Sequence, residues 1–124
     1  DFRMGKTIGQ DVDEAYEPLI LAKGYDHNFV LNRQEDGCRT VAEVLGDKTG
    51  IIMQIATDYP GMQLYTANYL DNVRGKNGHI YGRRDAVCFE PQFFPDAINH
   101  ENFPSCVCRA KETYKKEIIY RFFS

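Results

Sequence analysis

Glu90 stands in "AVCFEPQ", directly before Pro91 and close to three phenylalanines at 89, 93 and 94. A carboxylate at a strand end can act as a general base or acid when aromatic neighbours desolvate it and raise its pKa toward neutrality. Alternation along an extended chain puts Glu90 on one face with Cys88 and Gln92, and turns Val87 and Phe89 the other way. The plainer alternative is a solvated strand end. Asp26, in "YDHNFVL", shares a face with Asn28 and Val30, while His27, Phe29 and Leu31 share the opposite one. Asp26 reads as a ligand-binding carboxylate or as a turn-capping residue after Gly24. His27 reads as a packed structural histidine, so Asp26 and His27 are not expected to act on one ligand together. Gln63, in "MQLYTANY", shares a face with Tyr65, opposite Met62 and Leu64. An amide beside a ring suits a sugar, because the amide bonds hydroxyls and the ring stacks on C–H surface. The alternative is a plain solvent face. His79 and His100 lie in polar or irregular stretches without a partner at metal-ligand spacing.

The elements that must hold these residues are mostly strands, read from period-2 alternation punctuated by turn signals. "DFRMGKTIG" predicts a short strand-like piece running into a Gly-rich loop. Residues 11–18 are acidic and predict one helical turn before Pro18. Residues 19–32 predict two short β pieces around Gly24. A strand over 38–46 is reached through the turn "EDG", turns at "DKTG" into a strand from 51, and turns again at "PG" into "MQLYTANYL". Those three strands form an expected antiparallel meander. Residues 71–84 read as a long polar loop, of the kind that tends to carry function. A strand over 85–92 is expected to end at Pro91, followed by an irregular aromatic loop. Residues 106–123 predict two last strands around "AKE".

Length and composition narrow the function classes. The chain has 124 residues, which predicts one domain, 1–124, or part of one. A formal charge of −3 with scattered Lys and Arg argues against nucleic acid as a partner. No apolar run approaches the roughly 18 residues of a membrane helix. The four cysteines, Cys38, Cys88, Cys106 and Cys108, are too sparse for a disulfide scaffold, and Cys106-x-Cys108 lacks the usual C-x-x-C spacing. They read as free thiols in a reducing compartment, the cytoplasm, with a disulfide or metal as the alternative. Motifs for phosphate cradling or a serine nucleophile are absent from the sequence.

Four words occur in order: "GYDHNFVL" at 24–31, "PGMQLYTANYLD" at 60–71, "GKNGHIYGRRDAVCFEPQFFPDAINHENFPS" at 75–105 and "RAKETYKKEIIYRF" at 109–122. As a set they closely resemble the C-terminal part of the galactose mutarotases, the aldose 1-epimerases, over nearly the whole chain. "DFR" at the start also resembles a family strand. The resemblance implies an all-β fold, a large antiparallel β-sandwich. It implies interconversion of the α and β anomers of free aldohexoses such as galactose and glucose, with no cofactor or metal. A glutamate base takes the proton of the C1 hydroxyl, a histidine acid protonates the ring oxygen, and the ring opens and recloses on the other face. By the matching words, the base is Glu90 and the sugar-binding residues are Asp26 and Gln63. The acid histidine belongs to an N-terminal part with no counterpart here, and none of His27, His79 and His100 takes its role. The isolated chain is therefore expected to be inactive. Its open face is expected to meet the missing half of the sandwich or another copy. Two other readings stay open: a non-catalytic carbohydrate-binding module, and a hexose-phosphate epimerase with Arg83-Arg84 as its phosphate contact.

Overall fold

The computed structural model describes residues 1–32 and 37–124. The turn expected at "EDG" lies largely outside the described residues. The described residues contain one α-helix, α1 (Glu17–Ala22), and eight strands: β1 (Asp26–Val30), β2 (Arg39–Leu45), β3 (Ile52–Thr57), β4 (Gly61–Tyr65), β5 (Val73–Arg74), β6 (Ile80–Tyr81), β7 (Cys88–Gln92) and β8 (Ile118–Phe123). Three sheets result, with strand orders β1-β4-β7, β2-β3-β8 and β5-β6. The pairings β2–β3, β3–β8 and β5–β6 are antiparallel. No helix among the described residues is long and apolar enough to cross a membrane.

The residues group into two compact units, one formed by 1–27 and 63–90, the other by 28–62 and 91–124. In the first, Val12, Leu19, Tyr25, Leu64 and Ala67 are buried. In the second, Ile55, Ala56, Met62 and Ala97 are buried.

Several expectations change. Residues 19–22 are helical, not a strand, and Pro18 lies in the first turn of a helix that begins at Glu17, instead of ending a helical turn before it. An apolar run of four suits either element; the flanking residues decide. Proline lacks an N–H that the first turn does not need, and its fixed φ is already helical. At the other end Lys23 takes φ 58, and the amides of Lys23 and Gly24 donate to the carbonyls of Ile20 (3.2 Å) and Leu19 (2.9 Å). That wraps the free carbonyls in a left-handed cap. The strand expected near "DFR" is absent, replaced by irregular chain and a 3₁₀ turn at Ile8–Gln10.

The β2–β3 hairpin forms as expected, with Gly50 at φ 68 and its amide donating to Gly46 at 2.8 Å. The third strand of the meander does not follow. β3 pairs with β8 instead, and β4 joins the other sheet. The local cause is a set of bonds at the end of β3. Thr57, 0% exposed, donates through Oγ1 to the Glu117 carbonyl (2.8 Å) and accepts the Tyr59 amide (3.1 Å). The Asp58 carboxylate accepts the Glu117 amide at 3.0 Å and pairs with Lys116 at 3.3 Å. Pro60 has no N–H to continue a ladder, and its carbonyl accepts from Leu31 at 3.0 Å.

The polar stretch 71–84 contains a small hairpin, β5–β6, around a 3₁₀ turn at Lys76–Gly78. β7 runs through Pro91 to Gln92 instead of stopping there. It lies at the edge of its sheet, the position in which a strand tolerates proline. In the last segment only β8 forms, and Cys106 and Cys108 lie in irregular chain. All four cysteines are free thiols.

Candidate functional site

The candidate residues sit on three neighbouring strands. Asp26 opens β1, Gln63 is the middle residue of β4 and Glu90 is the middle residue of β7. β4 lies between the other two, and all three residues belong to the first unit. The structure joins two of them directly: Gln63 Nε2 donates to Asp26 Oδ1 at 2.8 Å. That bond fixes the orientation of the Gln63 amide, with its N–H side toward the carboxylate.

The start of β1, at Asp26, and the end of β4, past Gln63, are locked by a buried polar knot. The Tyr25 amide donates to Thr66 Oγ1 (3.0 Å), and the Thr66 amide donates to the Tyr25 carbonyl (3.1 Å). Thr66 Oγ1 donates to Asn68 Oδ1 (2.6 Å), and Asn68 Nδ2 donates to the same Tyr25 carbonyl (2.8 Å). Thr66 and Asn68 are 4% and 3% exposed, so these bonds are nearly dry. Gly24, at φ +144, completes the knot. A β-carbon there would stand 2.2 Å from Asn68 Oδ1. Residue-by-residue reading of "GYD" and "TAN" did not single out Thr66 and Asn68. Their signal was two polar residues, Thr66 and Asn68, in the three positions directly after β4.

Burial follows the expected alternation around Glu90 only in part: Val87, placed opposite Glu90, is exposed as well, and Gln92, placed with Glu90, is half-buried. Cys88 and Glu90 are exposed, while Phe89 is half-buried and Pro91 buried. The expected aromatic shield is not seen on Glu90, which remains open to water in this chain. The aromatic rings of the following loop have partners inside the second unit: Phe93 meets Tyr59 edge-on at 5.4 Å, and Phe94 meets Phe103 at 5.2 Å. Aromatic pairs of this geometry hold one another in place.

Each histidine has a local partner. His27 Nδ1 accepts the Asp26 amide at 2.9 Å, which puts the proton of the neutral ring on Nε2, and its ring stands edge-on to Tyr25 at 6.0 Å. The half-buried ring fits the structural reading. His79 packs on Tyr81 at 4.8 Å. His100 pairs with Asp96 at 3.2 Å and lies 4.8 Å from Phe103.

Arg83 and Arg84 are already engaged. Arg84 grips Asp13 with two parallel bonds of 2.7 and 2.5 Å, and both guanidinium groups donate to the Lys23 carbonyl at the end of α1. The Arg84 hydrogen bonds hold the Asp13 carboxyl below the usual carboxylate range despite partial desolvation. A cavity of about 200 Å³ beside α1 is lined by Val12, Asp13, Glu14, Leu19, Ile20, Lys23 and Arg83, and touches none of the three candidates. Asp26 and Glu90 therefore lie on open surface in this chain.

Comparison with known proteins gives a consistent picture. The family model "Aldose 1-epimerase" matches residues 1–121. Human galactose mutarotase is 36% identical over 125 residues, covering 98% of this chain and 34% of the relative. The aldose 1-epimerase of Escherichia coli K12 is 29% identical over 126 residues, covering 100% of this chain and 36% of the relative. A solved structure of a GalM/aldose epimerase homologue from C. elegans superposes with a TM-score of 0.72 at 31% identity, over 80% of this chain and 30% of that one. The chain thus spans about a third of the length of the curated relatives it matches. The likeness agrees with the expected all-β, antiparallel sandwich class.

Proposed function

The chain belongs to the aldose 1-epimerase family, and from that premise we propose that it carries the base-bearing part of an aldose mutarotation site. Glu90 takes the C1 hydroxyl proton of a free aldohexose such as galactose or glucose. Asp26 and Gln63 hold the sugar hydroxyls. The ring oxygen receives its proton from a histidine outside these residues, since the family words give the acid role to none of His27, His79 and His100. The ring opens, rotation about C1–C2 exchanges the carbonyl faces, and reclosure returns the proton to C1 oxygen from Glu90. The observation that supports this reading best is the 2.8 Å bond from Gln63 to Asp26. It joins, on adjacent strands, two residues that the family words assign to sugar binding, beside the strand that carries Glu90.

The hexose-phosphate reading is weakened by Arg84, whose guanidinium is committed to Asp13 and Lys23. The binding-module reading separates from the enzyme by experiment. Galactose titration by calorimetry is set beside polarimetric mutarotation, on the isolated chain and on a family-length polypeptide that carries it. The expected outcome is acceleration by the family-length polypeptide alone. Binding without acceleration in that polypeptide favours the module. Acceleration by the purified 124-residue chain contradicts the split between acid and base.

A further inference from the structure

Asn77 is followed by Gly78 at the tip of the β5–β6 hairpin, inside the polar stretch that the sequence marks as a function-bearing loop. Residues 76–80 are all exposed. Asn77 takes φ 55 and Gly78 φ 77, both in the left-handed region. The Asn77 side-chain amide makes no hydrogen bond among the described residues. Nothing lies within 4 Å of the point where a β-carbon of residue 78 would stand. The turn is closed by one 3.1 Å bond from the His79 amide to the Lys76 carbonyl and one 2.7 Å bond from the Gly75 amide to the His79 carbonyl. An exposed single turn of this kind opens locally at little cost.

From this combination we propose that Asn77 is a site of spontaneous covalent modification, through intramolecular attack by the Gly78 backbone nitrogen. That nitrogen gives its proton to solvent and forms a bond to Asn77 Cγ. The Cγ–Nδ2 bond breaks, and Nδ2 takes a proton back from solvent and leaves as ammonia. The resulting five-membered imide is opened by water at either carbonyl, giving aspartate or isoaspartate. One water enters, one ammonia leaves, and nothing is oxidised or reduced. The absence of a side chain at residue 78 is what makes the attack accessible. The other asparagines with defined surroundings differ on this point. Asn72 precedes β-branched Val73 and donates to Asp71 at 2.8 Å. Asn99 precedes His100 and donates to Asp96 at 2.5 Å. Asn68 is 3% exposed inside the Tyr25 knot.

The product places a new carboxylate between Lys76 and His79 and makes the chain one unit more negative than its formal −3. The isoaspartate form also inserts a methylene into the backbone of a turn closed by only the two bonds named above.

The test ages the chain in mildly alkaline buffer, with circular dichroism confirming that it stays folded, beside the same chain in urea. Trypsin then releases residues 77–83, and mass spectrometry resolves the asparagine, aspartate and isoaspartate forms. The expected result is loss of the Asn77 amide in the folded chain, with both acid forms present, while peptides containing Asn72 and Asn99 keep theirs. Retention of the Asn77 amide for as long as those of Asn72 and Asn99 overturns the proposal. Loss in urea alone overturns it equally, since the native turn would then block the attack.

Discussion

Asp26 and Gln63 are the residues whose cooperation is most directly visible. Truncating Gln63 to alanine removes one donor from the Asp26 carboxylate and, on the proposed reading, one contact to the sugar. Hydrogen bonds of this type contribute roughly 0.5–1.5 kcal/mol each, so galactose affinity in a family-length polypeptide should fall by about tenfold, read by calorimetry. An unchanged affinity would remove Gln63 from the site. At this scale the sequence was informative where a residue stood out against its neighbours. Glu90 before a proline and Asp26 two residues after Gly24 stood out in this way, and the structure places both on the sheet that also carries Gln63. Thr66 and Asn68 did not stand out, because their importance comes from Tyr25, 41 and 43 residues away along the chain. The exposure of Glu90 was not legible either. Alternation tells which face a side chain takes, but not whether the neighbouring rings spend their contacts on that face or on one another.

Among the elements, the Tyr25–Thr66–Asn68 knot and the end of β3 decide which strand pairs with which. Gly24→Ala puts a β-carbon into Asn68 and strains a φ of +144. Strain of this sort costs roughly 1–3 kcal/mol, and the urea midpoint should fall accordingly, with the slope unchanged. An unshifted midpoint would mean that the knot holds nothing. In the second unit the hydroxyls of Tyr59 and Tyr114 meet at 2.5 Å. That hydrogen bond, with added burial, pushes Tyr59 from the ordinary 10.0 up to about 12. The folded chain then holds a phenolic proton that the unfolded chain releases. This contribution is fully present below pH 10 and disappears as pH rises toward about 12. Tyr114→Phe should lower stability near neutral pH and flatten the alkaline loss across that window, measured by urea unfolding at stepped pH. Sequence periodicity found β2 and β3 and the hairpin between them, because both signals are local. It missed the transfer of β4 to another sheet, which depends on Thr57 and Asp58 meeting Glu117, some sixty residues downstream.

For the whole molecule, the dominant fact is that the chain spans about a third of its relatives' length. β8 lies at the edge of its sheet with Ile118, Tyr120 and Phe122 exposed, Phe122 at 65%. An open edge bearing apolar side chains favours association with further β structure. The purified chain should therefore self-associate with rising concentration, seen by light scattering, and Phe122→Lys should reduce it. A strictly monomeric chain at all concentrations would contradict that expectation. The all-β class and the family were readable from words that recur in order. The identity of what covers β8 was not, because an edge strand specifies hydrogen-bonding geometry and apolar area rather than a unique partner. The catalytic division of labour is tested most directly by polarimetric mutarotation of a family-length polypeptide carrying Glu90→Gln. With the base removed and the shape kept, galactose binding should persist while turnover falls by roughly 10²–10⁴-fold. An undiminished rate in that folded variant would contradict the assignment of Glu90 as the base.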